Sequence, residues 1–454
     1  DEPRELLRLA EHLERSGIES SFAAEDWEQG GTHDYWSDAK GKQRFKKGSL
    51  IIDMNQSQGP LAKALLEPAA DFEPEFVKRQ HAKAKADKDG KRDPELDSFE
   101  FYDSTAWALP YAYNLDAWWC EGRPEVPKEK PSIGARRPAR SSVGYALSYR
   151  DRDDILFVAA ALRNNLKVSQ LSKAVNVGGE TLVAGTFLFL AARNEEGYDD
   201  KLSDLAGKHG IQLASLRTSY PDEGRHGPGS ESVIQIRQPK IGIVYGSAGN
   251  LSGGALWYLM EKEFQLPYQS LSNNALNQSL ERFTCLVIPG GVPASAFKSI
   301  QAWVQGGGCL ITTDLGSMIG DDKFLKLTSQ NADTSLPGAF FRAELDPLSF
   351  LSFGYARSGS GPIKFAVPID GDQFYKAPKS GAAIALSSDD KVKKLLCGWT
   401  WDTTEKDLAS TIWMHEVPYG QGRVVLFSQD PTFRAQYPGL YKLLLNAMIT
   451  GPSL

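Results

Sequence analysis

Four short stretches carry residue types that could do chemistry, and each follows an expected strand. Tyr245-Gly246-Ser247-Ala248-Gly249-Asn250 leads from a strand into a helix. Its glycines and single hydroxyl suit either a phosphate cradle at a helix N-terminus or a plain glycine-rich turn. Pro289-Gly290-Gly291 offers backbone amides of the kind that stabilise an oxyanion. Asp314, in Thr313-Asp314-Leu315-Gly316, and Asp430, in Asp430-Pro431-Thr432, each place a carboxylate beyond a strand. Ligands of α/β sheets gather at the carboxyl edge of the strands. Gly246, Ser247, Gly290, Gly291, Asp314 and Asp430 are therefore expected to line one ligand site. Two aspartates there would suit a cation or an amine better than a carboxylate.

A nucleophile with its base is not legible. No GxSxG or GxCxG elbow occurs, and Ser317 has no histidine near it in sequence. The six histidines form no HxxE, HxH or HExxH pair, so no metal site and no cofactor is expected in this chain. His415 and Glu416 are neighbours on an expected strand and should point to opposite faces. His12 and His81 lie on charged helical segments, and His226 in a glycine-rich loop, where surface roles are expected. Cys120, Cys285, Cys309 and Cys397 form no CxxC or close pair. Cys285 and Cys309 fall in apolar, strand-like runs and read as inert core thiols.

The elements that must position these residues follow from periodicity. Residues 240–245 (KIGIVY), 284–289 (TCLVIP), 309–313 and 422–428 read as buried parallel strands. Helices are expected over 253–264, 297–305 and 439–448, the second stopped by Gly306-Gly307-Gly308. Alternating strands and helices imply a parallel sheet with right-handed crossovers. Residues 338–418 turn β-rich and are read as an insertion into a domain spanning 237–454. Two smaller units precede it, 1–130 and 131–236. Both read as helix, short strand, polar excursion, then a glycine (Gly48, Gly185) leading an apolar strand. The first copy lacks the strand that should precede its helix at 2–16, so the chain is expected to be cut from something longer.

The composition excludes several classes. Of 454 residues, 41% are hydrophobic and 24% charged, which is ordinary for a globular protein. The formal net charge of -6 argues against a nucleic-acid partner. The basic run 78–92 (KRQHAKAKADKDGKR) is interleaved with Asp and reads as a solvated face. The longest nearly apolar stretch, 181–192, is too short to span a membrane. Residues 99–119 (FEFYDSTAWALPYAYNLDAWW) are dense in aromatics. They suit a core-forming cap on the first unit, or a stacking platform for sugars or peptide side chains.

Two resemblances emerge from these motifs. The path strand-PGG, helix-GGG-strand, Leu-Gly, then GxGxVxxFxxDP resembles class I glutamine amidotransferase-like domains over roughly 237–330 and 417–450. The resemblance implies an oxyanion turn at Pro289-Gly290-Gly291. It puts Asp314 where active members carry the cysteine, and Asp430-Pro431-Thr432 where they carry His-Pro-Glu. Thiol, imidazole and orienting carboxylate are all missing from their places, so the domain is expected to be dead for amidotransfer. Cys309 falls five residues too early to substitute.

The pieces 48–52, 56–68, 102–115, 239–245 and 422–447 together resemble the C-terminal, non-peptidase half of large bacterial zinc carboxypeptidase-like proteins. That resemblance implies an α/β fold: repeated small α/β units, then a flavodoxin-like, amidotransferase-like three-layer domain with a β-rich insertion. It also implies an extracytoplasmic setting, a peptidase domain of the same polypeptide as partner, and zinc only in that domain. The expected function is a non-catalytic accessory region that positions substrate or binds a peptide or cell-wall ligand. Two alternatives stand beside it. One is a stand-alone hydrolase in which Cys309 or Ser317 reaches a base. The other is a small-molecule binder, for a flavin or nucleotide, using residues 246–249.

Overall fold

The computed structural model describes residues 2–69, 72–91, 99–101, 104–129, 137–224, 226–230, 233–245, 251–290, 294–312, 327–355, 362–376, 382–386 and 392–454. The fold mixes helices and strands in the α/β manner.

The largest sheet begins as a parallel array. Tyr268–Leu271, Ile241–Val244, Cys285–Ile288, Cys309–Thr312 and Gly422–Phe427 lie side by side in that order. The three strands Ile241–Val244, Cys285–Ile288 and Cys309–Thr312 are buried at every position. Such continuous apolar runs are what a sheet covered on both faces requires. Alternate residues serve opposite faces. Ile243, Val287, Ile311 and Val425 join the core that contains Leu256, Leu259, Leu443 and Leu444. Leu286, Leu310 and Val424 join a second core with Ile300 and Val304 of the Phe297–Gln305 helix.

The β-rich stretch expected as an insertion continues this sheet edge to edge. Thr411–Tyr419 pairs antiparallel with Gly422–Phe427. It then pairs with Ile363–Lys376, which pairs with Ser329–Leu345. Ala382–Leu386 bonds both to Ser329–Leu345 and back to Thr411–Tyr419. These four strands close a ring, which removes the free edges that long antiparallel strands otherwise expose. Ser329–Leu345 is 17 residues long and starts before the expected boundary at 338. Its register slips between Leu336 and Ala339, at Pro337 and Gly338. A proline cannot donate to the ladder, so the strand bulges there.

Segment 131–236 forms a five-stranded sheet, all antiparallel, in the order Ala214–Leu216, Gly144–Leu147, Phe187–Leu190, Val168–Leu171, Val233–Ile236. Two helices, Arg152–Arg163 and Tyr198–His209, accompany it. Asp151 precedes the first of these, and Asp154 reaches back to accept the Asp151 amide at 2.9 Å, half of a capping box. In the first unit the Pro3–Arg15 helix is followed by strands that split into two three-stranded sheets. Residues 78–88 of the basic run lie on the helix Pro74–Lys88, where Arg79 and Lys83 both pair with Glu100.

The described part of the aromatic run is core in its middle, over residues 110–115. Tyr111 is buried and donates to the Tyr35 carbonyl at 2.5 Å. Asn114, buried with its side chain against the Ile363–Lys376 strand, accepts from the Ala366 amide at 3.1 Å. Phe101 packs with Phe72, Phe76 and Trp399. Trp107 and Trp119 remain half exposed. Tyr102 lies outside the described residues. No described helix is long and apolar enough to cross a membrane.

Candidate functional site

All five parallel strands run the same way, so their carboxyl ends share one edge of the sheet. Two segments rise from that edge to face one another. The first is the Leu251–Tyr258 helix, which follows the Ile241–Val244 strand. Its sequence, LSGGALWY, carries no charge. Leu251, Gly254, Ala255 and Tyr258, at i, i+3, i+4 and i+7, fall on one helical face. The second is residues 430–435, which follow the Gly422–Phe427 strand. Leu251, Gly254, Ala255 and Tyr258 on one wall, with Asp430, Phe433, Arg434 and Ala435 on the other, enclose an open cleft of about 530 Å³.

The second wall is fixed in detail. Asp430 Oδ1 accepts from the Thr432 amide at 2.7 Å and from the Thr432 hydroxyl at 2.6 Å. This is the turn that an aspartate closes on its own backbone two residues on. Arg434 and Ala435 both have positive φ, 49° and 54°. Neither is glycine, so each costs of order 1–3 kcal/mol and must be held by its surroundings. The Ala435 carbonyl is held by the Tyr441 hydroxyl at 2.7 Å. The Arg434 guanidinium lies 5.0 Å from the Phe433 ring centre, and that ring stacks on Tyr437. Beside this wall, Gln429 clamps the backbone of Asp370 through a bond to its carbonyl at 3.1 Å and one from its amide at 3.4 Å. Partial desolvation first, and the Asp430 charge second, raise the Asp370 carboxyl above its ordinary range.

Of the residues expected to line the site, Asp430 lines the cleft. Gly290 stands at the carboxyl end of the Cys285–Ile288 strand with φ 113°, a conformation only glycine adopts easily. Gly246, Ser247, Gly291 and Asp314 lie outside the described residues, as do Ser317 and residues 248–249. Seven of the eight lining residues went unread in the sequence, Leu251, Tyr258, Phe433 and Arg434 among them. The first two carried a signal in their i, i+7 spacing after a strand. Asp370 carried none, because it reaches Asp430 only through the strand pairing of the ring.

The cleft holds a carboxylate, a guanidinium, a phenol and apolar surface. Among the described residues that line it there is no thiol and no imidazole. Cys309 is fully buried, with its thiol against the Ala447 carbonyl at 3.5 Å. It faces Cys285 across adjacent strands, and burial raises the Cys285 thiol well above its usual range. Neither sulfur reaches the edge. His415 is buried, while its neighbour Glu416 pairs with Arg423 at 2.5 Å. His226 is exposed, and His81 packs edge-on against Trp399 and Trp401. Among the described residues no group of three or more His, Cys, Asp or Glu side chains is placed to hold a metal ion.

No protein-family profile and no curated protein sequence matches the chain. Solved structures are similar to parts of it. A cytoplasmic protein from Salmonella typhimurium LT2 is 12% identical, with 46% of this chain and 99% of that chain covered, at a TM-score of 0.29. A ThuA-like protein from Bacteroides uniformis is 9% identical over 46% of this chain and 89% of its own, at 0.31. A β-galactosidase from Rahnella sp. R3 is 13% identical over 66% of this chain and 48% of its own, at 0.27. Similarity at that level assigns no activity and no site.

Proposed function

We propose that this chain is a non-catalytic, ligand-binding region whose site is the cleft between the Leu251–Tyr258 helix and residues 430–435. The ligand class is small and peptide-like, with an apolar side chain. The observation that carries this reading is the lining itself. One wall is an uncharged helical face, and the other presents Asp430 and Arg434 within a single turn. A zwitterion with an apolar body satisfies all three: ammonium to Asp430, carboxylate to Arg434, side chain against Tyr258 and Phe433. Arginine suits the second contact because its planar fork matches a carboxylate.

Titration calorimetry with the dipeptide alanyl-phenylalanine tests this. Saturable binding is expected. Arg434→Ala should weaken it about 10-fold or more, the worth of a hydrogen bond to a charged group. Tyr258→Ala should also weaken it, through loss of apolar contact. A wild-type protein that takes up no dipeptide, or binding undiminished in both variants, would sink the assignment.

The parallel half of the large sheet is read as a flavodoxin-like, amidotransferase-like layer arrangement without that family's chemistry. The sequence resemblance to zinc carboxypeptidase-like proteins supports an accessory role beside a peptidase domain of the same polypeptide, outside the cytoplasm. An immunoblot of source cells, fractionated by compartment, is the check. The expected band is tens of kilodaltons heavier than this chain and extracytoplasmic, the added mass being about one or two further domains. A band no larger than the chain overturns the accessory reading and leaves the cleft untouched.

A further inference from the structure

The two walls of the cleft leave the sheet from strands that are not neighbours, yet their far ends meet at one side chain. The Leu251–Tyr258 helix runs on into a wider π-type turn, Leu259–Phe264. Glu263 in that turn pairs with Arg152 at 3.2 Å. The other wall is held at Ala435 by the Tyr441 hydroxyl. The ring of that same Tyr441 lies under the Arg152 guanidinium, 5.4 Å from centre to carbon. Phe264 meets the Tyr441 ring edge-on at 5.5 Å. Arg152 itself belongs to segment 131–236, at the start of the Arg152–Arg163 helix, and is 5% exposed. Its remaining ion pair goes to Glu5 of the first helix at 3.2 Å, and Arg8 braces Glu5 in turn at 2.8 Å.

We infer that Arg152 is the positioning residue of the cleft, setting the separation of its two walls from a segment that does not line it. The inference rests on the proposed ligand site for its purpose, but its geometry stands without a ligand. A helix is stiff along its axis, so fixing Glu263 fixes a lining face that runs from Tyr258, about 8 Å away, to Leu251, about 18 Å away, at about 1.5 Å per residue. The second wall is a strained turn, and strained turns persist only where neighbours hold them. Arginine is suited to the task because one planar group can pair with carboxylates on two sides and still present its face to a ring. Glu5 makes the first helix part of the same frame, so the N-terminal unit bears on a cleft it does not touch.

Hydrogen exchange read by mass spectrometry on the full chain, without ligand, tests the inference. Glu263→Gln should speed exchange across residues 251–264 about 10-fold, as expected for loss of a charged partner, and leave 433–441 unchanged. Tyr441→Phe keeps the ring and removes the hydroxyl, so it should loosen 433–441 and spare 251–264. Arg152→Gln should loosen both and leave the strands at 285–288 and 309–312 at wild-type rates. A residue with a merely structural role would not separate the walls in this way. Equal acceleration in those central strands, or wild-type rates in both walls, overturns the assignment. If Arg152→Gln does not fold, the two single-wall variants decide it, and wild-type exchange in both rejects it. A dipeptide that fails to bind the wild type removes the proposed function and leaves this result standing.

Discussion

Replacing Lys442 by methionine is expected to destabilise the chain by about 3–5 kcal/mol, the usual cost of removing one partner from a buried charge cluster. Lys442 is 2% exposed. Its ammonium donates to the Arg150 carbonyl at 2.8 Å and to the Gly354 carbonyl at 2.6 Å. It pairs with Glu2 at 3.0 Å and sits 4.3 Å from the centre of the Tyr355 ring. These partners come from the first helix's approach, from segment 131–236, and from the loop before the Ile363–Lys376 strand. Methionine fills the same volume and satisfies none of them, so a carboxylate and two carbonyls lose their donor in a dry place. Urea unfolding would read the change as a lower midpoint. The double variant with Glu2→Gln should recover part of the loss, because it removes the stranded charge. A single variant within about 1 kcal/mol of wild type would mean that the junction is wetter than its burial implies.

The opposite sign is expected close by, where Asp151→Asn should stabilise the protein at pH 8 by up to about 4 kcal/mol. Asp151 is 3% exposed, and its carboxyl is pushed up to about 7. Burial is the main cause, followed by the charge of Asp154, with Lys442 opposing both. Unfolded, an aspartate titrates near 3.9. Between about pH 4 and pH 7 the native state therefore holds a proton that the unfolded chain has released. The stabilisation is complete below that window and is lost as pH rises through about 7. The wild type should thus lose stability between pH 5 and pH 8, and the asparagine variant should lose less. Asparagine keeps an oxygen for the Arg4 amide, which Asp151 accepts at 3.3 Å. Urea unfolding of both proteins at pH 5, 6, 7 and 8 gives the two slopes. Identical slopes would show that another group carries the dependence; Asp154, also raised by burial, is the first alternative.

Local signals were read well where one physical requirement dominated. The strands 241–244, 285–288 and 309–312 stand almost where their apolar runs placed them, because a strand buried on both faces tolerates nothing else. The Phe297–Gln305 helix ends where three glycines end it. The helices expected over 253–264 and 439–448 instead break into α and π-type turns. The second is buried at every position from 441 to 450, so periodicity gave it no phase.

By itself, then, the sequence determined the mixed α/β character, the parallel strands and the edge at which a site should be sought. Only the tertiary structure decided what faces Asp430. Tyr258 and Asp370 reach it through crossovers and strand pairings that span most of the C-terminal half. Only the tertiary structure, too, set Arg152 between Glu5, Glu263 and Tyr441. The reason is physical: propensity and periodicity act over a few residues, whereas burial of a charge selects its partners by proximity in space, whatever their separation along the chain.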